Sequence, residues 1–164
     1  MIKQLIVRNG GAEEKIEPKV VLSAISNAKN AGRAIDAHDD EFINIIARAY
    51  NAELRAQNAV DFDDLLILAE KLLREHHEVR DDVMRQKYQY VTVDEFQDTN
   101  GLQIQLLQQL VGAPYHVCVV GDDDQSIYGF RGADVTNILQ FERFFPNPKA
   151  VSYTHLTLPT TSRV

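Results

Sequence analysis

The sequence has little cysteine and no long apolar run, and both shortages restrict what the protein can be. Its 164 residues include one cysteine, so a disulfide framework is excluded and a reducing cytoplasm is the expected location. That residue, Cys118, stands inside a short apolar run, which predicts a small buried core side chain. No run approaches the ~18 apolar residues that a membrane span needs, so no membrane partner is expected.

Positive charge is also scarce. Lys and Arg number 17 against 24 Asp and Glu, which gives a net charge of −7 at pH 7. This balance argues against a whole-surface electrostatic grip on nucleic acid, but it allows a narrow groove that binds by stacking. An apolar share of 45% and a charged share of 25% are typical of a folded globular protein.

The first 58 residues carry helical patterns and no strand pattern. Three helices are predicted, from Ile2 to a stop at Asn9, from Pro18 to Asn30 and from Asp40 to Asn58. Asp61 is typical of the N-cap of a fourth helix. The apolar positions that this fourth helix presents are Leu65, Leu66, Leu68, Ala69, Leu72 and Leu73.

The second half alternates strands, polar clusters and helices. Strands are predicted at 88–93 and 115–120, a helix from Gly101 to Val111, and another helix from near Asp134. This order is typical of parallel βαβ construction, which predicts an α/β fold with a right-handed crossover. The polar cluster after each strand should then lie at the same edge of the sheet, where open α/β sheets bind ligands.

Asp94 and Glu95 directly follow the first predicted strand. Adjacent carboxylates at a strand end diverge, so they can perform different tasks. One can hold Mg²⁺, commonly through water, and its neighbour can accept a proton from an attacking water. The pair therefore indicates nucleotide hydrolysis.

The second polar cluster combines Gln125 with Tyr128, Phe130 and Arg131. A neutral glutamine can contact a γ-phosphate or an attacking water without repelling either. The two aromatic residues form either a packing plug or a stacking platform for bases. Arg131 can neutralise phosphate charge or pair with a carboxylate. Together these residues suggest a loop that links nucleotide state to an aromatic surface.

The sequence V-D-E-F-Q-D-T-N at 93–100, followed by G-D-D-D-Q-S-I-Y-G-F-R-G-A-D at 121–134, resembles motifs II and III of superfamily 1 UvrD/Rep/PcrA-type DNA helicases. The stretches S-A-I-S-N-A-K-N at 23–30 and D-F-D-D-L-L at 61–66 also resemble this family. The similarity covers roughly residues 1–150. It implies an ATP-driven, Mg²⁺-dependent motor that moves along single-stranded DNA, typically 3′→5′, and separates the duplex at a junction ahead of it.

The resemblance also implies roles for individual residues. Asp94 would coordinate Mg²⁺, Glu95 would be the general base and Gln125 would sense the γ-phosphate of ATP. The loop residues implied to act on DNA are Tyr128 and Phe130, which would lie against bases, and Arg131, which would connect the ATP and DNA sites. Phe130 replaces the tryptophan common at its position, which predicts somewhat weaker stacking.

The resemblance divides the chain into three parts. Residues 1–58 would belong to a helical accessory subdomain and residues 59–150 to a RecA-like ATPase core.

No G-x-x-x-x-G-K-[ST] phosphate-binding loop occurs. We therefore expect an internal fragment of a longer protein, inactive as an ATPase by itself. Residues 151–160 are similar to the translation of a transposase-type sequencing adapter, so 151–164 are expected to be non-native; resequencing the source locus checks this.

Three alternatives stay open at this point. The chain can be the helicase part of a helicase–nuclease, or a non-hydrolysing DNA-binding scaffold that kept both motifs. A third interpretation makes Asp94, Glu95 and Asp98 a metal-nuclease centre, although it leaves Gln125 and the aromatic loop unexplained.

Overall fold

A computed structural model describes residues 1–10, 16–112, 116–126 and 133–153. Seven α-helices and two strands form most of this part of the chain. The helices are α1 (Ile2–Arg8), α2 (Pro18–Asn30), α3 (Glu41–Ala56), α4 (Phe62–Glu75), α5 (Gly101–Val111), α6 (Thr136–Leu139) and α7 (Phe141–Phe144). The strands are β1 (Val91–Val93) and β2 (Val117–Val119), and a π-helical segment, Val79–Arg85, lies between α4 and β1. Among these described residues, no helix combines the length and apolarity that crossing a membrane requires.

Local capping explains where the predicted helices begin. Pro18 occupies the first turn of α2, where its missing N–H removes no helical hydrogen bond. The Asp40 carboxylate accepts from the N–H of Phe42 at 2.8 Å, which starts α3. Asp61 and Asp64 form a reciprocal capping box at the start of α4. The predictions for these helices are confirmed to within two residues.

A first apolar core joins α1, α2 and α3. Its buried members lie at helical spacing on all three helices, as amphipathic helices that share a core require. They are Ile2, Leu5, Ile6, Val21, Ile25, Ile43, Ile46, Ala47, Tyr50 and Leu54. The helical first part of the chain therefore has a core of its own.

Helix α4 differs from the sequence expectation in how its apolar residues are distributed. Leu73 is buried, but Phe62 is 75% exposed and Leu65 is 54% exposed. Leu68 and Leu72 are exposed as well. The rotation of α4 about its axis is fixed by its capping box and by its packing against α2 and α5. In this rotation the described residues leave part of its leucine surface uncovered.

The predicted parallel sheet is confirmed with shorter strands. Strand β1 pairs with β2 in parallel, with Val91 opposite Val117 and Val93 opposite Val119. Helix α5, which connects them, spans the predicted residues, and a capping box of Asn100 with Gln103 starts it. The described chain is mostly helical with a two-stranded parallel sheet, which is compatible with part of an α/β domain.

A second apolar core lies on one face of this sheet. Its buried members are Phe96, Ile104, Leu107 and Phe145, and the four strand valines pack against them. The expectation for Cys118 was wrong, because this residue is exposed. Strand alternation turns Val117 and Val119 toward the core and therefore places Cys118 on the other face of the sheet, which no described element buries.

A polar cluster of Lys29, Tyr50, Asp61 and Asp64 joins α2, α3 and α4. The Lys29 side chain is only 4% exposed, and its Nζ donates to Asp61 Oδ2 and Asp64 Oδ1 at 2.7 Å each. The Tyr50 hydroxyl donates to Asp61 Oδ2 at 3.0 Å. The buried cation is thus paired and hydrogen-bonded, as burial of charge requires.

Candidate functional site

The two acidic segments meet at one edge of the sheet. The N–H of Val120 donates to the carbonyl of Val93 at 2.8 Å, and the N–H of Phe96 donates to the carbonyl of Val120 at 3.0 Å. These bonds continue the strand pairing beyond β1 and β2, since parallel strands end at the same edge. The predicted juxtaposition of the two segments is therefore confirmed.

Asp94 and Glu95 are both exposed at this edge. Asp94 Oδ1 accepts a hydrogen bond from the N–H of Glu95 at 2.9 Å. Glu95 has a φ of +50°, in the left-handed region that residues other than glycine rarely adopt. Such backbone strain costs on the order of 1–3 kcal/mol and persists only where the surroundings impose it. Here the surroundings are the 3₁₀ turn Phe96–Asp98, whose first residue is fully buried.

A chain of three hydrogen bonds connects Glu95 to Gln125 through Gln97 and Asp122. Gln97 Nε2 donates to Glu95 Oε2 at 2.6 Å, and Gln97 Oε1 accepts from the N–H of Asp122 at 3.0 Å. Asp122 Oδ2 accepts from Gln125 Nε2 at 2.8 Å. Since Gln97 is 1% exposed, the link between the two segments passes through a buried side chain.

Glycine at 121 leaves room for the close approach of the two segments. A Cβ atom there would stand 2.6 Å from Gln97 Oε1 and 2.8 Å from Ile138 Cδ1. Both distances are shorter than van der Waals contact. Gly121 therefore allows the backbone after β2 to lie against Gln97.

A 3₁₀ turn at Asp123–Gln125 holds Gln125 near Asp122. The Asp122 carboxylate accepts from the N–H of Asp124 at 3.1 Å, and the N–H of Gln125 donates to the Asp122 carbonyl at 3.1 Å. Asp122 thus caps the turn with one carboxylate oxygen and accepts from the Gln125 side chain with the other.

The structure brings Asp94, Glu95 and Gln125 to the same edge. Tyr128, Phe130 and Arg131 lie outside the described residues, as do residues 154–164 of the tail. Sequence reasoning missed Gln97 and Gly121. A glycine directly after a strand was the available signal for a close approach, whereas Gln97 resembles any other polar turn residue.

The residues at this edge fit a hydrated magnesium ion better than a preformed metal centre. Among the described ranges, no three histidine, cysteine or carboxylate side chains converge as ligands, so Asp94, Glu95 and Asp98 do not form a three-ligand cluster. Asp94 nevertheless offers an exposed carboxylate at a strand end. Mg²⁺ keeps several waters and commonly takes one or two protein carboxylates, so this donor set suits it.

Comparison with known proteins identifies the family of this chain. The family model described as the UvrD/REP helicase N-terminal domain matches residues 6–146. The chain therefore belongs to the UvrD/REP helicase family, and both hydrogen-bonded segments of the site lie within the match.

Individual relatives come from several bacteria. The chain is 37% identical to the ATP-dependent DNA helicase PcrA of Bacillus subtilis over 158 residues, which covers 92% of this chain and 21% of that protein. It is 36% identical to the protein of the same name from Staphylococcus aureus and 35% identical to that from Staphylococcus epidermidis, in each case covering 92% of this chain and 22% of the relative. The chain thus spans about a fifth of the length of these relatives.

Proposed function

We propose that the intact protein containing this chain is an ATP-dependent DNA helicase that moves 3′→5′ on single-stranded DNA and separates duplexes at junctions. One observation carries the proposal: the acidic pair and Gln125 share one sheet edge and are joined by three hydrogen bonds. Family membership supports the same conclusion.

Within this proposal, Asp94 holds the magnesium ion of bound MgATP. When bound, Mg²⁺ neutralises phosphate charge that develops during phosphoryl transfer. Glu95 is the general base, because its carboxylate is exposed and adjacent to the metal-holding residue. Gln125 reads the γ-phosphate, and Asp122 orients its amide by accepting from Nε2 at 2.8 Å.

Residues 127–132 supply the DNA contacts in this proposal. Tyr128 and Phe130 stack against bases, since base–aromatic stacking contributes about 1–3 kcal/mol per base and tolerates any sequence. Arg131 connects these aromatic residues to the nucleotide. A stacking mode of binding is compatible with the net charge of −7, because it does not need a broad basic face.

We further propose that residues 59–150 belong to a RecA-like ATPase core and residues 1–58 to a helical accessory subdomain. The separate apolar cores of the helical part and of the sheet support this division. The exposed face of the sheet at Thr92 and Cys118 would be covered by the remainder of the protein, since parallel sheets are ordinarily covered on both faces.

The proposal is tested with the intact protein and its Glu95→Gln variant. DNA-stimulated ATP hydrolysis and unwinding of a duplex with a 3′ single-stranded tail are both expected in the wild type. Glu95→Gln should lower kcat for ATP by about 100-fold or more, since general bases contribute 10²–10⁴-fold. Glu142→Gln, which removes an exposed carboxylate on α7, is the matched control.

Three results would contradict the proposal. They are an intact protein without DNA-stimulated ATPase, unwinding only from a 5′ tail, and a Glu95→Gln variant as active as Glu142→Gln. The isolated 164-residue chain is expected to release no phosphate from ATP, because it contains no phosphate-binding loop motif.

A further inference from the structure

We propose that Gln97 is a positioning residue that orients the Glu95 carboxylate and links it to the turn that carries Gln125. The inference rests on the proposed function, in which Glu95 is the general base. It assigns a role to a side chain that touches neither nucleotide nor DNA in that proposal.

The Gln97 side chain is buried and is hydrogen-bonded at both ends of its amide. Gln97 is 1% exposed. Its Nε2 lies 2.6 Å from Glu95 Oε2, and its Oε1 lies 3.0 Å from the backbone nitrogen of Asp122. Within the described part of the chain, every buried side-chain nitrogen and oxygen has a hydrogen-bond partner. The Gln97 amide is therefore buried without the free-energy cost of an unpaired nitrogen or oxygen.

The chemistry of its two partners sets the orientation of the Gln97 amide. The backbone N–H of Asp122 can only donate, and the ionised carboxylate of Glu95 can only accept. One orientation of the amide satisfies both, with Oε1 toward Asp122 and Nε2 toward Glu95. A hydrocarbon of the same size satisfies neither partner.

Glu95 needs such a support because its own surroundings hold it weakly. Its side chain is exposed, and its backbone lies in the left-handed region at φ +50°. A glutamate has considerable rotamer freedom, which one charge-assisted hydrogen bond from a buried donor reduces. Because Gln97 engages Oε2 alone, Oε1 stays available for a proton.

The same amide transmits the position of the second segment. Asp122 accepts from Gln125 with its carboxylate and donates to Gln97 with its backbone, so a shift of Gln125 acts on Glu95 through two residues. The buried Phe96 and the absence of a side chain at Gly121 keep this route short, since a Cβ at 121 would stand 2.6 Å from Gln97 Oε1. Base position and phosphate sensing are thereby coupled.

The first test observes the contact without any nucleotide. In the 164-residue chain, the side-chain ¹⁵N–¹H signals of Gln97 are assigned by their loss in Gln97→Met. Their exchange with solvent should be slow, and Glu95→Ala should accelerate it by about tenfold or more, since exchange follows local opening. Asn44→Leu, which removes a buried amide 5% exposed in α3, is the control and should leave these signals in place. Unchanged Gln97 exchange in Glu95→Ala would overturn the inference.

The second test uses kinetics of the intact protein. Gln97→Met should lower kcat for DNA-stimulated ATP hydrolysis by about 10- to 100-fold, because misplacing a reacting group by an ångström can cost about 100-fold. The KM for ATP should stay within about threefold, since Gln97 does not bind the substrate. Asn44→Leu should leave kcat near the wild-type value.

A double variant separates positioning of Glu95 from general stabilisation. If Gln97 acts through Glu95, adding Gln97→Met to Glu95→Gln should cause no further loss of kcat, as expected for residues that act as a unit. Losses that multiply in the double variant, or a Gln97→Met variant with wild-type kcat, would overturn the inference while leaving Glu95 as the base. Full activity of Glu95→Gln would instead overturn the proposed function and the inference with it.

Discussion

The side-chain amide of Asn100 donates a 2.8 Å hydrogen bond to Oδ1 of Asn30, which lies 70 residues earlier in the chain. Asn30 ends α2 in the helical part, and Asn100 is the N-cap of α5 directly after the acidic segment. Both residues are buried, at 8% and 5% exposure. The bond therefore ties the helical part of the molecule to the segment that carries Asp94 and Glu95.

Asn30→Leu is expected to destabilise the fold by about 1–3 kcal/mol, the typical cost of disrupting a buried hydrogen-bond pair. Asn30 also donates to Asp63 Oδ1 in α4 at 3.0 Å. The variant therefore loses this hydrogen bond as well as the one to Asn100. Urea unfolding of the chain followed by circular dichroism measures the change. Asn27→Leu, exposed one turn earlier in α2, should differ little from the wild type. Equal stability of the two variants would contradict this prediction.

Lys29→Met should destabilise the fold by about 2–4 kcal/mol at pH 7, because it leaves the carboxylates of Asp61 and Asp64 close together without their cation. Lys19→Met, on an exposed position of the same helix, is the matched control. Urea unfolding gives both values. A Lys29→Met protein as stable as Lys19→Met would refute the role assigned to the cluster.

The cost of Lys29→Met should also depend on pH. Burial by itself would raise the pKa of Asp61, but the hydrogen bond and charge of Lys29, with the N–H of Asp64, hold that pKa below its usual range. A lowered folded-state pKa contributes stability above the unfolded pKa and loses it as pH falls through the folded pKa. The stability difference between wild type and Lys29→Met should therefore narrow below about pH 4. If the stability difference between wild type and Lys29→Met stayed constant from pH 7 to pH 3, this predicted pH dependence would be contradicted.

The phenol of Tyr50 should lose its proton only at high pH. Burial first, and then the negative charge of Asp61, raise the pKa of Tyr50 to about 12. A raised pKa means that its stabilising contribution is complete below about pH 10 and is lost as pH rises toward 12. The tyrosinate absorbance of wild type minus that of Tyr50→Phe should rise near pH 12, with circular dichroism checking that both stay folded. A difference signal centred near pH 10 in folded protein would show the assignment to be wrong.

Gly121→Ala should destabilise the fold by about 1–3 kcal/mol, because the new methyl group would overlap Gln97 Oε1 and Ile138 Cδ1. Gly101→Ala is a control of identical chemistry at the first position of α5, where a Cβ meets nothing within 4 Å. It should be neutral or stabilising, by up to about 1 kcal/mol, since alanine is the better helix former. Thermal unfolding of both variants checks the contrast, and equal melting temperatures would count against the close packing at residue 121.

Features that depend on neighbours within a few residues were predictable from the sequence. The start of α2 follows from Pro18 in its first turn. The start of α4 follows from Asp61, whose capping bond reaches three residues along the chain. The parallel pairing of β1 with β2 followed from the strand–helix–strand order. The roles of Asp94, Glu95 and Gln125 in catalysis stay predictions.

Exposure was less predictable, because it depends on what else packs on a surface. Cys118 and the leucines of α4 look like core residues by local pattern, yet the described elements leave them exposed. An apolar residue in the sequence indicates that the side chain is favoured in a buried position. It does not show which element of the structure would cover it.

The amino-acid order by itself determined the positions of α1 to α5, the parallel strand pair and the placing of both acidic segments at one sheet edge, because short-range hydrogen bonds and chain direction suffice for each. It did not show that the helix expected from near Asp134 is two short helices, α6 and α7. Only the tertiary structure decided that Gln97 joins Glu95 to Asp122 and that Asn30 meets Asn100. These contacts link residues 25 and 70 positions apart. Their geometry depends on the register of the sheet and on the packing of both α2 and α5 against α4, which no local pattern encodes.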